Sequence, residues 1–155
     1  IMIIGIDPGL TGAIAKISDT DLVSVQDMPT KKLGKKNKVD GAALSEILKD
    51  AKHIYLEDVA SRPGQGVVSV FTFGEGFGVI KGVCESLGIP YSLIKPNEWQ
   101  KRFGLNTGTK DKAKKKKEIA DKCLSFYPKA ELYGPKGGLK DGRSDAIMIA
   151  RYSLH

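Results

Sequence analysis

The sequence predicts a mixed α/β domain, a five-stranded sheet whose three leading strands are antiparallel, flanked by helices. Three observations carry this. A short apolar run, residues 2–7, opens the chain and stops at Asp7, before the turn-forming Pro8-Gly9. Two further short segments with Ile, Val and Leu, 12–18 and 21–27, follow at close spacing and are split by Ser18-Asp19-Thr20, so the three read as a meander. Beyond them, strand-like segments alternate with helical patterns, which lays helices on the faces of the sheet. The 155 residues form one domain, 1–155, with no internal repeat and no loop long enough to be a linker.

The remaining elements follow in order. Residues 29–38 hold Lys31, Lys32, Lys35, Lys36 and Lys38 with no acid, and read as a loop. Residues 39–52 place Leu44, Ile47, Leu48 and Ala51 at helical spacing, an amphipathic helix. The fourth strand, 53–58, ends at Glu57-Asp58, and a loop at 60–66 leads into a long helix over 67–87. There Val70, Phe73, Phe77, Ile80 and Cys84 recur at three- and four-residue steps. Its four glycines (74, 76, 78 and 82) each cost roughly 1 kcal/mol against Ala, and small residues on such a helix let another backbone come close. Residues 91–94 are the fifth strand. A short helix at 96–103 begins with a proline, a basic helix spans 110–126, a glycine-rich loop 134–142, and a last helix 144–154.

Composition excludes several classes. A hydrophobic share of 41% with 28% charged residues is that of a folded domain. No apolar run reads as a membrane span of roughly 20 residues, so no membrane partner is expected. The opening Ile-Met-Ile-Ile does not read as a signal peptide, and Met2 reads as the natural start. Cys84 and Cys123 make neither a disulfide framework nor a metal-ligand spacing, and read as reduced core thiols. A cytoplasmic protein is the expectation.

The net charge of +7 is unevenly spread. Residues 29–38 carry +5 and residues 95–117 carry +7, which leaves −5 for the rest. One lysine run would be a solvated face. Two in so small a domain, beside an acidic remainder, point to phosphates held by lysine around a metal-binding centre.

Four acids stand out by position. Asp7 ends the first strand, Glu57 the fourth, and Asp141 and Asp145 lie one turn apart at the start of the last helix. If the first and fourth strands are neighbours, Asp7 and Glu57 emerge side by side, and the helix start laid across that edge completes a cluster. Carboxylates so gathered repel unless a cation sits among them. Oxygen ligands without paired His or Cys favour Mg²⁺, with Mn²⁺ as substitute, over zinc. Two such ions about 3.5–4 Å apart suit phosphodiester hydrolysis. Singly, each acid has a plainer use: Asp7 in an Asx turn, Glu57 as an edge charge, Asp141 or Asp145 at a helix start. Their joint placement is what points to chemistry.

These residues resemble a known family. Ile4-Gly5-Ile6-Asp7-Pro8-Gly9 with Thr11-Gly12-Ala13 resembles the first motif of the RuvC-type Holliday junction resolvases, and Tyr55-Leu56-Glu57-Asp58-Val59 their second. Phe73-Gly74-Glu75-Gly76-Phe77-Gly78 is similar to their glycine-bearing dimer helix, and Ser144-Asp145-Ala146-Ile147 with Ala150 to their terminal acidic helix. The resemblance implies a ribonuclease H-like fold, a homodimer through helix 67–87, and two-metal hydrolysis that nicks opposite strands of a four-way DNA junction. Asp7, Glu57 and Asp145 would be metal ligands. The family's fourth acid lies three residues before the last one, where this chain has Gly142; Asp141 is the candidate here, with Asp58 as the alternative. The family's base-parting aromatic has no match at Ala60 or Ser61, which leaves Arg62 or Gln65 for that place. The loop at 134–143 and the lysines of 110–117 look more like phage-encoded members, whose setting is a bacterial host's cytoplasm.

The expected DNA contacts are Lys31, Lys32, Lys35, Lys36, Arg62, Lys110, Lys112, Lys114, Lys115, Lys116 and Lys117. One of Lys114 to Lys117 would steady the charge of the transition state. Rival readings are a broader flap- and fork-cutting nuclease, a non-catalytic junction-binding protein, and an actin/Hsp70-like ATPase. The last fits poorly, because this chain is short and has no second glycine-rich phosphate loop.

Overall fold

In a computed structural model, residues 2–60, 64–105 and 108–154 are described. The central sheet is built from β1 (Ile3–Asp7), β2 (Ala13–Ile17), β3 (Leu22–Asp27), β6 (His53–Glu57) and β7 (Tyr91–Ile94), in the order β3-β2-β1-β6-β7. The first three strands pair antiparallel, whereas β6 runs parallel to both β1 and β7. This is the mixed five-stranded sheet that the sequence predicts.

Alternation along β1 divides the core in two. Ile4 and Ile6, with Ile14, Ile54 and Leu56, bury against α1 (Gly41–Leu48) and α2 (Val67–Leu87) through Leu44, Leu48, Ile80 and Cys84. The opposite face carries Ala13, Ala15 and Ile17 against α3 (Pro96–Arg102), α4 (Lys112–Phe126) and α5 (Asp141–Tyr152), with Trp99, Ile119, Cys123, Ile147 and Met148 fully or nearly buried there. Small residues let α5 press directly on β1. A Cβ at Gly5 would stand 2.3 Å from the Ala146 carbonyl oxygen and 2.5 Å from the Ala150 nitrogen, so only glycine permits this contact. Both cysteines are buried and free, and burial pushes their thiols up to about 11 (Cys84) and about 12 (Cys123).

Two segments depart from the sequence reading. The lysine-rich loop is a hairpin of β4 (Thr30–Leu33) and β5 (Lys36–Val39), turned by Gly34 at φ +67° and Lys35. Both strands are polar on both faces, so no alternation marks them; the anchor is Val39, buried at the foot against Gly76. The last helix begins at Asp141, one turn before the expected start, with Asp141 in its first turn. In addition, α2 is by length and composition apolar enough to cross a membrane, contrary to the sequence reading. One side of it is nevertheless built into the core through Ile80 and Cys84.

Candidate active site

Parallel pairing of β1 and β6, in the register Ile6 with Leu56, brings Asp7 and Glu57 out at the same end of adjacent strands. The first turn of α5 crosses that end. Gly142 lies against the Thr11–Gly12 backbone and the carboxylate of Asp7: a Cβ there would stand 2.8 Å from the Thr11 oxygen and 3.2 Å from Asp7 Oδ2. Position 142 therefore has no room for an acid, and Asp141 precedes it in the same helical turn. Arg143 fastens this turn to the sheet. Its Nε donates to Asp27 Oδ1 at 2.9 Å and Nη1 to the Glu131 carbonyl at 3.0 Å. The hydroxyl of Ser144 donates to the Asp141 carbonyl at 3.0 Å.

The carboxylates feel each other strongly. Burial, then the charges of Asp145, Glu57 and Asp141, push Asp7 up to about 9. Burial followed by Glu57 and Asp141 raises Asp145 well above the usual carboxylate range, against the opposing pull of Lys116 and Lys115. Glu57 is also raised by burial, partly offset by Trp99, whose Nε1 donates to Oε2 at 2.7 Å, and by Lys115. Among the described residues, no three His, Cys, Asp or Glu side chains close to the spacing of ligands around one ion. The four carboxylates share a field without converging on a point. Their donor set, oxygen only, fits a hard divalent cation, whose charge would offset the burial and mutual repulsion that raise Asp7 and Asp145.

The expected DNA contacts separate into groups. Lys31, Lys32, Lys35 and Lys36 are exposed on the hairpin, which springs from the sheet end where Asp7 lies, since Asp7 pairs with Ala13 and Ala13 with Asp27. Lys110, Lys112 and Lys114 are exposed at and before the start of α4, and Lys117 pairs with Asp121 at 3.2 Å. Lys115 and Lys116 face the acids, with Lys116 Nζ 3.6 Å from Asp141 Oδ2. Arg62 and Ser61 lie outside the described residues. Sequence reasoning missed Trp99 and Arg143. The signals were thin: the chain's single Trp, and one Arg set between two acids.

No family model matches the chain, and no curated protein matches it in sequence. Solved structures do match its shape. RuvC of T. thermophilus in complex with a Holliday junction substrate aligns over 99% of this chain and 92% of its own, with a TM-score of 0.69 and 15% identity. A second structure of Thermus thermophilus RuvC gives 0.59 at 15% identity, covering 99% and 93%. Ydc2, the yeast mitochondrial Holliday junction resolvase, gives 0.51 at 16% identity, covering 97% of this chain and 76% of that one. The chain has the ribonuclease H-like fold of the RuvC Holliday junction resolvases.

Proposed function

We propose that this protein is a metal-dependent endonuclease of branched DNA that resolves four-way junctions by paired nicks. The observation that carries the reading is the gathering of Asp7, Glu57, Asp141 and Asp145 at one sheet end, with Lys115 and Lys116 beside them, on a fold shared with junction resolvases. Those four acids would hold two Mg²⁺ ions, with Mn²⁺ able to substitute. When bound, the ions supply an activated water and neutralise charge on the phosphate.

The chain's own residues do the rest. Trp99 holds the Glu57 carboxylate in one orientation through its hydrogen bond. The Arg143–Asp27 pair holds the first turn of α5, and with it Asp141, at the sheet edge. Lys115 and Lys116 oppose the negative charge that grows on the phosphate. The hairpin lysines bind the DNA backbone, adding affinity and salt dependence without base information.

A twofold substrate suits a twofold enzyme, and α2 has the surface for one. Phe71 is 70% exposed, Val67 is exposed beside it, and Gly74, Gly78 and Gly82 face open space one turn apart. In an antiparallel pair of α2 helices the Phe71 ring of each copy would enter the notch left by the glycines of the other. Phe71→Lys should then shift the protein from dimer to monomer in analytical ultracentrifugation.

The test of function uses four-way junctions labelled on each strand, with a flap and a linear duplex as controls, in Mg²⁺ and then Mn²⁺. Paired nicks at the crossover, lost in Asp7→Asn while junction binding holds or tightens, are expected. Equal cutting of the flap makes the protein a broader debranching nuclease. Tight binding without nicks in either metal leaves a junction-binding protein.

A further inference from the structure

A cleft of about 430 Å³ opens between the Pro8–Thr11 turn, the end of β5 and the first half of α2. None of the four carboxylates lines it, yet its wall starts at the residue after Asp7. Val39 and Phe73 make its apolar sides, and Asn37, Ser69 and Thr72 supply amide and hydroxyl groups. The Phe73 ring stacks on Phe77, with centroids 6.0 Å apart. It also lies beside Gly9, where an added Cβ would come within 3.7 Å of it. Lys38 and Glu75 both line the cleft and form an ion pair, so its charge is balanced. Lys31, Lys32, Lys35 and Lys36 make no ion pair among the described residues and stand outside it on the same hairpin.

We propose that this cleft receives one unstacked nucleobase of the strand cut at the neighbouring carboxylates, and that it sets the base preference of cutting. The inference rests on the nuclease reading above. A wall of balanced charge offers nothing to a phosphate, whereas the hairpin lysines outside offer much. An aromatic side and an aliphatic side suit a flat ring, whose stacking is tolerant of sequence. Asn37 can donate and accept at once, and the hydroxyls of Ser69 and Thr72 do either, so the groups that meet the ring edge discriminate between bases. The volume lies within the range of small-ligand pockets. The site is also where such a base is available. Bases at a branch point are the least costly to extrude, and continuity of the chain from Asp7 to Pro8 puts the cleft next to the phosphate being cut.

The experiment binds Asp7→Asn to four-way junctions in Mg²⁺, with 2-aminopurine placed in turn at each position beside the crossover. Emission should rise severalfold at one position. In the same background Thr72→Leu, which fills the cleft, should remove the rise, and Asn37→Ala, on an exposed strand, should weaken it at an unchanged thermal midpoint. With the Asp7 carboxylate restored, Thr72→Leu and Asn37→Ala are assayed against wild type on junctions carrying each of the four bases at that position. The ratio of cutting between best and worst base should fall about tenfold in both variants. Bound junctions whose emission stays flat at every position overturn the proposal, as does a rise and a base preference that both variants leave intact. In either case nicking by wild type keeps the nuclease reading. A cleft-dependent rise with no nicking by wild type supports the base site and sinks the nuclease reading instead.

Discussion

The lysines of the β4–β5 hairpin and those at the start of α4 both form dense runs in sequence, and the fold treats them in opposite ways. On the hairpin, Lys31, Lys32, Lys35 and Lys36 extend into solvent from strands that carry almost no core. On α4, Lys115 and Lys116 stand one turn before Ile119 and Ala120, the buried stripe, and so lie on the side of the helix toward Glu57, Asp141 and Asp145, with Lys116 still exposed. The same residue type thus serves two ends. On the proposed reading, lysines clear of any acid would add binding, and lysines within reach of the carboxylates would shape the charge where the phosphate reacts.

The sharpest way to break this comparison is to remove each set. Lys115→Ala with Lys116→Ala should slow nicking by about a hundredfold at saturating protein, with junction affinity changed far less. Replacing Lys31, Lys32, Lys35 and Lys36 by Ala should leave the saturated rate alone and flatten the plot of log K against log salt by about 3 to 4. Equal losses of turnover from both sets would end the distinction.

Gly5→Ala should move only the acid-bearing side. The added methyl meets the main chain of α5, so a loss of roughly 1–3 kcal/mol in denaturant unfolding and slower nicking are expected, with the salt slope unchanged. A salt slope that falls with Gly5→Ala would mean that hairpin and site are one mechanical unit.

A further effect is expected on stability against pH. Asp7 has an ordinary value of 3.8 and is pushed up to about 9 in the folded protein. Between those limits the folded state keeps a proton that the unfolded state has lost, so stability falls as pH rises through that window. Asp7→Asn should therefore raise the thermal midpoint at pH 8 in EDTA and leave it nearly unchanged at pH 3. A midpoint that responds equally at both would remove the electrostatic account of the acid cluster, whereas hairpin substitutions should show no such pH trend.

Much of this was legible beforehand because strong local signals agreed. The apolar run stopping at Asp7, the second stopping at Glu57, and the helix carrying Asp145 all stand where the sequence puts them. The hairpin was not legible, because strands that are polar on both faces have no period-2 pattern and only Gly34 marks the turn. The start of α5 was obscured by Gly142, a poor helix former kept there by the backbone of Thr11. The part of Trp99 depends on a contact 42 residues away in sequence, which no local pattern encodes. Which α4 lysines face the acids could have been read from their four-residue offset to Ile119 and Ala120.

Where α5 meets β1, main chain rests on main chain, with only Gly5 and the small Ala146 and Ala150 between. The spacing of Asp7 from Asp145 is therefore a property of two backbones and not of the side chains that fill the remaining core. Mutational drift elsewhere in that core can exchange one aliphatic for another without altering the gauge of the site. The fold of a solved resolvase is accordingly matched over 99% of this chain at only 15% identity.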